Sequence, residues 1–371
     1  MSDVLSRLKG RTATRSAWWL LLLLPPFYLS TFWLQTGLFA MAFVIAAIGL
    51  NLLVGTAGQL SLGHAFFLAV GAYGYIWLAD EPHDAGATSL NGLGLPPLLA
   101  LIGAVLLAGL AGAAFSPVSG RLKLMYLGVA TMALVFIGGH VMLNATSVTG
   151  GFNGRSVPAM ELFGLPLDDS GPDVVLLGVP FGALERLWYF GLLLVALALF
   201  TARNLLNGRA GRALGALRDS EVAASVMGVH PARHRAAAFT VSSMYAGAGG
   251  ALLALAVQRV VPEQFGLLLS MDLLAMIVIG GLGSAAGAAA GAVFVAVLPQ
   301  VLGYYAADLP LIDPPGTPGG FSPAEVARFL YGAALVLVLL FIPGGLVSLR
   351  LPAWLRGRLS TLTPTHKEHN P

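Results

Sequence analysis

The sequence predicts an all-α, polytopic helical membrane protein of about ten transmembrane helices, and three observations carry that prediction. Hydrophobic residues make up 57% of the 371 residues and charged residues only 10%, against about 25% charged in soluble domains. Apolar runs that reach or approach the roughly 20 residues needed to cross a bilayer recur along the chain. The basic residues crowd into alternate connections between those runs. Segments of about 10 alternating residues, the mark of a membrane β-barrel, do not appear.

In chain order the apolar runs fall at 17–35, 37–55, 60–79, 95–115, 124–143, 187–202, 236–257, 269–283, 285–305 and 327–347. Alternating the connections from an inner N-terminus tests the scheme. The inner segments then hold Arg7, Lys9, Arg11, Arg15, Arg121, Lys123, Arg203, Arg209, Arg212, Arg218, Arg233, Arg235, Arg350, Arg356, Arg358 and Lys367, which is 16 of the 20 basic residues. The outer segments keep Arg155, Arg186, Arg259 and Arg328. Basic residues set orientation, so both termini are expected in the cytoplasm. Residues 1–16 read as a basic cytoplasmic N-terminus, 203–235 as a long cytoplasmic loop and 350–371 as a cytoplasmic tail. Residues 144–186 and 306–326 read as periplasmic loops, the first with room for a short surface helix, the second irregular because of its Pro and Gly content.

Individual spans carry their own signals. A basic segment precedes the first, as in a signal peptide, but Pro25-Pro26 breaks the run and no clear small-residue cleavage site follows, so an uncleaved anchor is expected. Trp18, Trp19, Trp33, Trp77, Trp188, Tyr189, Tyr304 and Tyr305 lie near span ends, where aromatic rings favour the interface. Residues 269–305 read either as two crossings or as one long helix with a re-entrant piece. The 47 glycines suit close helix approach, and the absence of cysteine excludes disulfide and thiol chemistry. The one-sided basic charge follows the membrane, so no nucleic-acid partner is expected.

The loop 203–235 carries the most telling motif. Within it runs Arg218-Asp219-Ser220-Glu221-Val222-Ala223-Ala224-Ser225-Val226-Met227-Gly228. Ala and Met favour a helix, Gly228 ends it in a left-handed turn, and His230-Pro231 prevents its resumption. A short helix of small residues in a basic inner loop suits docking on a soluble partner. Glu221-Val222-Ala223-Ala224 followed by Gly228 resembles the EAA loop of ABC importer permeases. Val222 stands where a strict motif has Glu, and Glu221 sits one place earlier. The wider chain resembles the branched-chain amino-acid permeases of ABC importers, the LivM branch. The matching segments are Gly49 to Ala65 (GLNLLVGTAGQLSLGHA), Val148 to Gly154 (VTGGFNG), Gly211 to Glu221 (GRALGALRDSE), Ala237-Ala238-Phe239, and Ile279 to Gly287 (IGGLGSAAG).

That resemblance implies half of a translocation path for branched-chain or similar amino acids. It implies a second homologous permease subunit, two ATP-binding cassette ATPase subunits and a periplasmic amino-acid-binding protein as partners, beside membrane lipid. The solute stays open, since related permeases carry urea, short amides or aromatic acids. The three lysines, Lys9, Lys123 and Lys367, never follow glycine, so no Walker A loop is present and no enzyme is expected. No cofactor is expected on this chain; ATP is used by the partner subunits. A self-sufficient secondary transporter would carry ionisable residues at the midplane, for which His64 and His140 are the only candidates.

The expected coupling residues are Arg218, Asp219, Glu221, Ala223, Ala224 and Gly228. Expected path residues are Gln59, Ser61 and His64 at the start of the third span, and His140, Asn144 and Thr149 near the outer end of the fifth. Polar groups at membrane depth are costly and face protein or water. The alternative for the first trio is local: Ser61 capping the helix and Gln59 bonding a neighbour. For the second it is mutual satisfaction of His140 and Asn144, which are four apart on one helix face. Asp272 reads as an N-cap. Gly281-x-Gly283-x-x-Ala286 fits a nucleotide fingerprint formally, but no βαβ unit surrounds it, so it reads as close helix packing. His230 with His234, and His366 with His369, have metal-like spacing, but are expected to be solvated surface residues with no metal.

Overall fold

The computed structural model describes residues 22–85, 88–122, 124–162, 165–167, 174–176, 179–306, 322–342 and 344–346. The chain is an all-helical membrane bundle. Its helices are α1 (Thr31–Asn51), α2 (His64–Ala79), α3 (Pro97–Arg121), α4 (Leu124–Asn144), the single turn α5 (Thr146–Thr149), α6 (Ala183–Asn207), α7 (Arg209–Asp219), α8 (Glu221–Val226), α9 (Pro231–Val257), α10 (Leu267–Gly280), α11 (Ala285–Tyr304) and α12 (Pro323–Phe341). Six of them, α1, α3, α4, α6, α9 and α11, are long and apolar enough by length and composition to cross a membrane.

The core forms where apolarity runs all round a helix. In α1 every residue from Val44 to Asn51 is buried, as expected of a helix with no polar stripe. α9 packs on α3, α1 and α2, while α1 also packs on α11 and α6. The α9–α1 pair is antiparallel: Gln35 Nε2 donates to the Ala256 carbonyl at 3.5 Å near one end, and Ser242 Oγ donates to the Gly49 carbonyl at 2.6 Å further along. Gly71 of α2 meets Gly247 of α9 backbone to backbone, with no space for a methyl between them, which is how small residues let helices approach in lipid.

The bundle has two unlike ends. One, the arm end, carries α7 and α8, the ends of α1 and α3, and the turn 281–284. The other, the loop end, carries the described residues of 80–96, 145–182 and 258–266. Four antiparallel two-stranded ribbons lie in these loop-end segments: β1 (His83–Ala85) with β2 (Thr88–Leu90), β3 (Arg155–Ser156) with β8 (Arg259–Val260), β4 (Glu161–Leu162) with β5 (Leu165–Pro166), and β6 (Val174–Leu176) with β7 (Val179–Phe181). Register Arg155↔Val260 and Ser156↔Arg259 ties the long loop after α4 to the end of α9.

Several boundaries differ from the sequence reading. The run 17–35 is not one helix: a 3₁₀ turn at Pro25–Phe27 takes in the double proline, and Thr31 already belongs to α1. Residues 17–21 lie outside the described residues, among which nine helices of 14 or more residues stand where ten were expected. The third run begins in non-helical backbone, and α2 starts only at His64. At 16 and 14 residues, α2 and α10 are about 24 and 21 Å long at 1.5 Å per residue, short of a bilayer core of about 30 Å. Residues 269–305 form two helices and a turn, but α10 is the shorter arm. Ser61 does not cap α2, whose N-cap is Gly63. Nor does Asp272 cap α10, which begins five residues earlier at Leu267. Most of 306–326 and all of 350–371 lie outside the described residues, as do His366 and His369.

Candidate functional site

The arm is built by local chemistry. α7 ends at Asp219, and Ser220, in extended backbone, starts α8 by accepting the Ala223 N–H on its Oγ at 3.3 Å. Such an N-cap contributes about 1 kcal/mol. At the other end Gly228 takes φ +83°, the left-handed region that glycine enters without strain. Gly228 N–H donates to the Ser225 carbonyl and Val229 N–H to the Ala224 carbonyl, both at 3.0 Å. These two bonds are the Schellman pattern that satisfies helix-terminal carbonyls.

The capped turn buries Ala224 (2% exposed) and leaves Val222, Val226 and Met227 bare at 76, 84 and 82%. Three large apolar side chains on a six-residue helix and its C-cap, in a loop otherwise rich in Arg, are a surface that gains by being covered. The arm is held at a fixed attitude by charge. Glu221 accepts two bonds from Arg235, at 2.9 and 3.3 Å, linking α8 to the first turn of α9. Arg218 Nη1 donates to the Gly55 carbonyl in the π turn Leu52–Thr56 that continues α1, and its stem lies against Gly58. A cation there suits the negative end of the helix dipole. Asp219 and Ala223 are exposed.

The second predicted group sits inside the bundle. Between α1 and α2 the chain passes through a π turn (Leu52–Thr56) and then non-helical residues 57–63. Irregular backbone at membrane depth survives only where protein or an aqueous cavity surrounds it. Here protein does: Gln59, Ser61 and His64 are 4, 0 and 1% exposed. Gln59 Nε2 donates to the Ser119 carbonyl at 3.2 Å, Ser61 Oγ accepts the Gly63 N–H at 3.3 Å, and His64 Nε2 meets Ser242 Oγ at 3.1 Å. Neighbours complete the segment: Thr131 Oγ1 accepts the Leu62 N–H at 3.0 Å and Ser270 Oγ accepts the Ala65 N–H at 3.1 Å. Gln59 Oε1 and His64 Nδ1 are buried with no partner among the described residues, so this segment holds hydrogen-bonding capacity that those surroundings leave unused.

The third group is split. His140 and Asn144 are exposed and bond each other, Asn144 Nδ2 lying 3.3 Å from His140 Nε2 and donating to the His140 carbonyl at 2.7 Å. Thr149 is buried and closes α5 on itself, donating to the Met142 and Ala145 carbonyls and accepting the Gly151 N–H. An apolar cavity of about 500 Å³ between α3, α6 and α9 is lined by residues such as Leu101, Val105, Leu197 and Met244. Its Thr201 and Tyr245 hydroxyls bond each other at 2.6 Å, which leaves a zwitterionic solute little to bind.

Two residues matter that sequence reading passed over. Arg155, read there only as an outer charge, is 1% exposed. Its Nη2 and Nε donate to Asp80 Oδ2 at 2.7 and 3.1 Å, and its Nη1 to the Asn91 and Val148 carbonyls at 2.8 and 2.9 Å. Asn51 is 3% exposed and bonds the turn after α10. An amide inside a long apolar run was the available signal for Asn51; Arg155 gave none beyond its charge.

Over residues 33–339 the chain matches the family described as branched-chain amino acid transport system / permease component. It is 32% identical over 341 residues to the high-affinity branched-chain amino acid transport system permease protein LivM of Salmonella typhimurium, covering 88% of this chain and 72% of that protein. LivM of Escherichia coli is 31% identical over 337 residues with the same shares. The probable branched-chain amino acid transport permease protein LivM of Methanocaldococcus jannaschii is 26% identical over 336 residues, 82% of this chain and 90% of that protein. No solved structure matches. With its multi-pass bundle and a family match across most of its length, this chain belongs to the permease components of branched-chain amino acid transport systems.

Proposed function

We propose that the chain forms half of the translocation path of an ABC importer for branched-chain or similar amino acids, driven from the arm end by separate ATPase subunits. The observation that carries this reading is the tip of α8: Val222, Val226 and Met227 stand bare on a helix capped at both ends. A rigid apolar knob of this kind suits the groove of a partner that moves. The basic residues support placing that end in the cytoplasm: Arg121, Arg203, Arg209, Arg212, Arg218, Arg233 and Arg235 lie at the arm end, and Arg155, Arg186, Arg259 and Arg328 at the other. In this reading the termini are cytoplasmic, the membrane is the bacterial inner membrane, and a homologous second permease completes the path. A periplasmic binding protein presents the solute at the loop end.

ATP binding draws the ATPases together, and α7–α8 rock with them as a rigid piece tied to α1 by Arg218 and to α9 by Arg235. Gln59, Ser61 and His64 would then line the route once the bundle parts, their unused acceptors meeting the solute or its water. Substrate choice lies mainly with the binding protein. The decisive experiment pairs Val226→Asp with Met227→Asp in the reconstituted transporter. Uptake should fall by a factor within the roughly 5- to 150-fold range of allosteric couplings, while the subunits still assemble. Uptake at wild-type rate would defeat the docking role. An introduced Val222→Cys, in a chain with no other cysteine, should react with an impermeant maleimide in inverted vesicles and not in intact cells; the opposite result would reverse the orientation.

A further inference from the structure

The turn Gly281–Ser284 between α10 and α11 is gripped from another part of the chain. Asn51 Oδ1 accepts the Gly283 N–H at 2.9 Å, and Asn51 Nδ2 donates to the Ser284 carbonyl at 2.8 Å. One amide thus satisfies a donor and an acceptor on consecutive residues of a turn some 232 positions away in sequence. The fit is tight at Gly281 and at Gly55. Gly281 and Gly283 take φ +118° and +81°, and a methyl placed on Gly281 would come 2.6 Å from the Gly344 carbonyl oxygen. A methyl on Gly55 would overlap the Gly283 amide and the Asn51 side chain.

Gly55 is also the residue whose carbonyl takes the Arg218 guanidinium. The π turn Leu52–Thr56 therefore has the arm on one side and the α10–α11 turn on the other. Single π turns inside helices recur at functional positions because they free carbonyls from the ordinary ladder. A buried polar contact of this kind, with both partners satisfied, is stiff and specific, and breaking one side leaves the other unpaired in a medium without water.

We infer that Asn51 is the positioning residue that passes movement of the arm to the α10–α11 hairpin, by the route Arg218, the Gly55 carbonyl, Asn51 and the Gly283–Ser284 turn. The inference rests on the arm being the coupling element. On that footing α1, α10 and α11 move as one body when α7–α8 move. The shortness of α10 fits, because a 14-residue helix adds less than a full span to the body that moves.

The test uses the complete transporter, reconstituted with its partner subunits, and measures uptake and ATP hydrolysis separately. Asn51→Ala should lower the solute carried per ATP hydrolysed at least about fivefold, in the range of ordinary allosteric couplings, with hydrolysis continuing. Arg218→Ala, which leaves the buried amide untouched, should do the same. The double variant should be no worse than the stronger single one, as for residues on one route. Spin labels on Arg209→Cys in the arm and Leu282→Cys in the turn separate coupling from mere stability. Both should respond to ATP in the parent, and in Asn51→Ala only the arm label should. A Leu282 label that still follows ATP in Asn51→Ala, or additive losses in the double variant, would overturn the relay. An arm label that ignores ATP even in the parent would instead overturn the coupling role of the arm. If Asn51→Ala fails to assemble, Arg218→Ala with the Leu282 label decides the same question: a turn that still follows ATP refutes the route.

Discussion

The two ends of the bundle handle charge in opposite ways. At the loop end Arg155 is swallowed whole, its three nitrogens spent on Asp80 and two backbone carbonyls. At the arm end Arg235 and Glu221 pair in the open, Glu221 half-exposed, and the apolar tip of α8 has no cover. The loop end therefore stabilises itself with contacts that cannot be loosened cheaply, while the tip of the arm, α8, is held in place by an ion pair that water and salt can reach. A transporter gains from this division: a firm frame at the loop end, and a surface on the arm that stays fixed in shape yet available.

Substitutions that leave each partner unpaired should rank the contacts. Arg155→Ala abandons Asp80 and two carbonyls and should cost about 3–5 kcal/mol, seen as a large drop in the midpoint of thermal unfolding in detergent; a drop no greater than that of a surface variant would contradict the buried clasp. Ser270→Ala removes the acceptor for the buried Ala65 N–H and should cost about 1–3 kcal/mol in the same assay. Ser220→Ala strips the cap from α8 and should cost about 1 kcal/mol, localised to the arm. Hydrogen exchange should therefore quicken at 221–226 while global unfolding barely shifts, and protection unchanged there would refute the cap. Arg235→Ala should cost under about 1 kcal/mol, less still in high salt; a salt-independent loss would show the pair to be more enclosed than its exposure indicates.

How much of this was legible depends on where each contact's partner lies. The helices were, because apolar length is local and the bilayer sets its scale. So was α8, whose cap at Ser220 and stop at Gly228 act within a few residues. The first boundary went astray because Pro25-Pro26 breaks the run early and nothing at Gly37 breaks it again, so α1 reaches back to Thr31. The late start of α2 was hidden because residues 60–63 are apolar enough to read as helix, yet their backbone bonds go to Thr131 and Ser61. Arg155 and Asn51 could not be read at all in their roles. Their partners stand 75 and 232 positions away, and only the packed bundle brings them together.

The trans cap on α2 has a consequence for how the chain is made. Ser270, which completes the start of that helix, leaves the ribosome 205 residues after Ala65. The early third of the protein must therefore wait in the membrane with an open seam at the start of α2, His64–Ala65, closed only when Ser242 and Ser270 arrive. A nascent chain halted at Gly266 should be cut by protease at that seam, and one extended through Ser284 should resist.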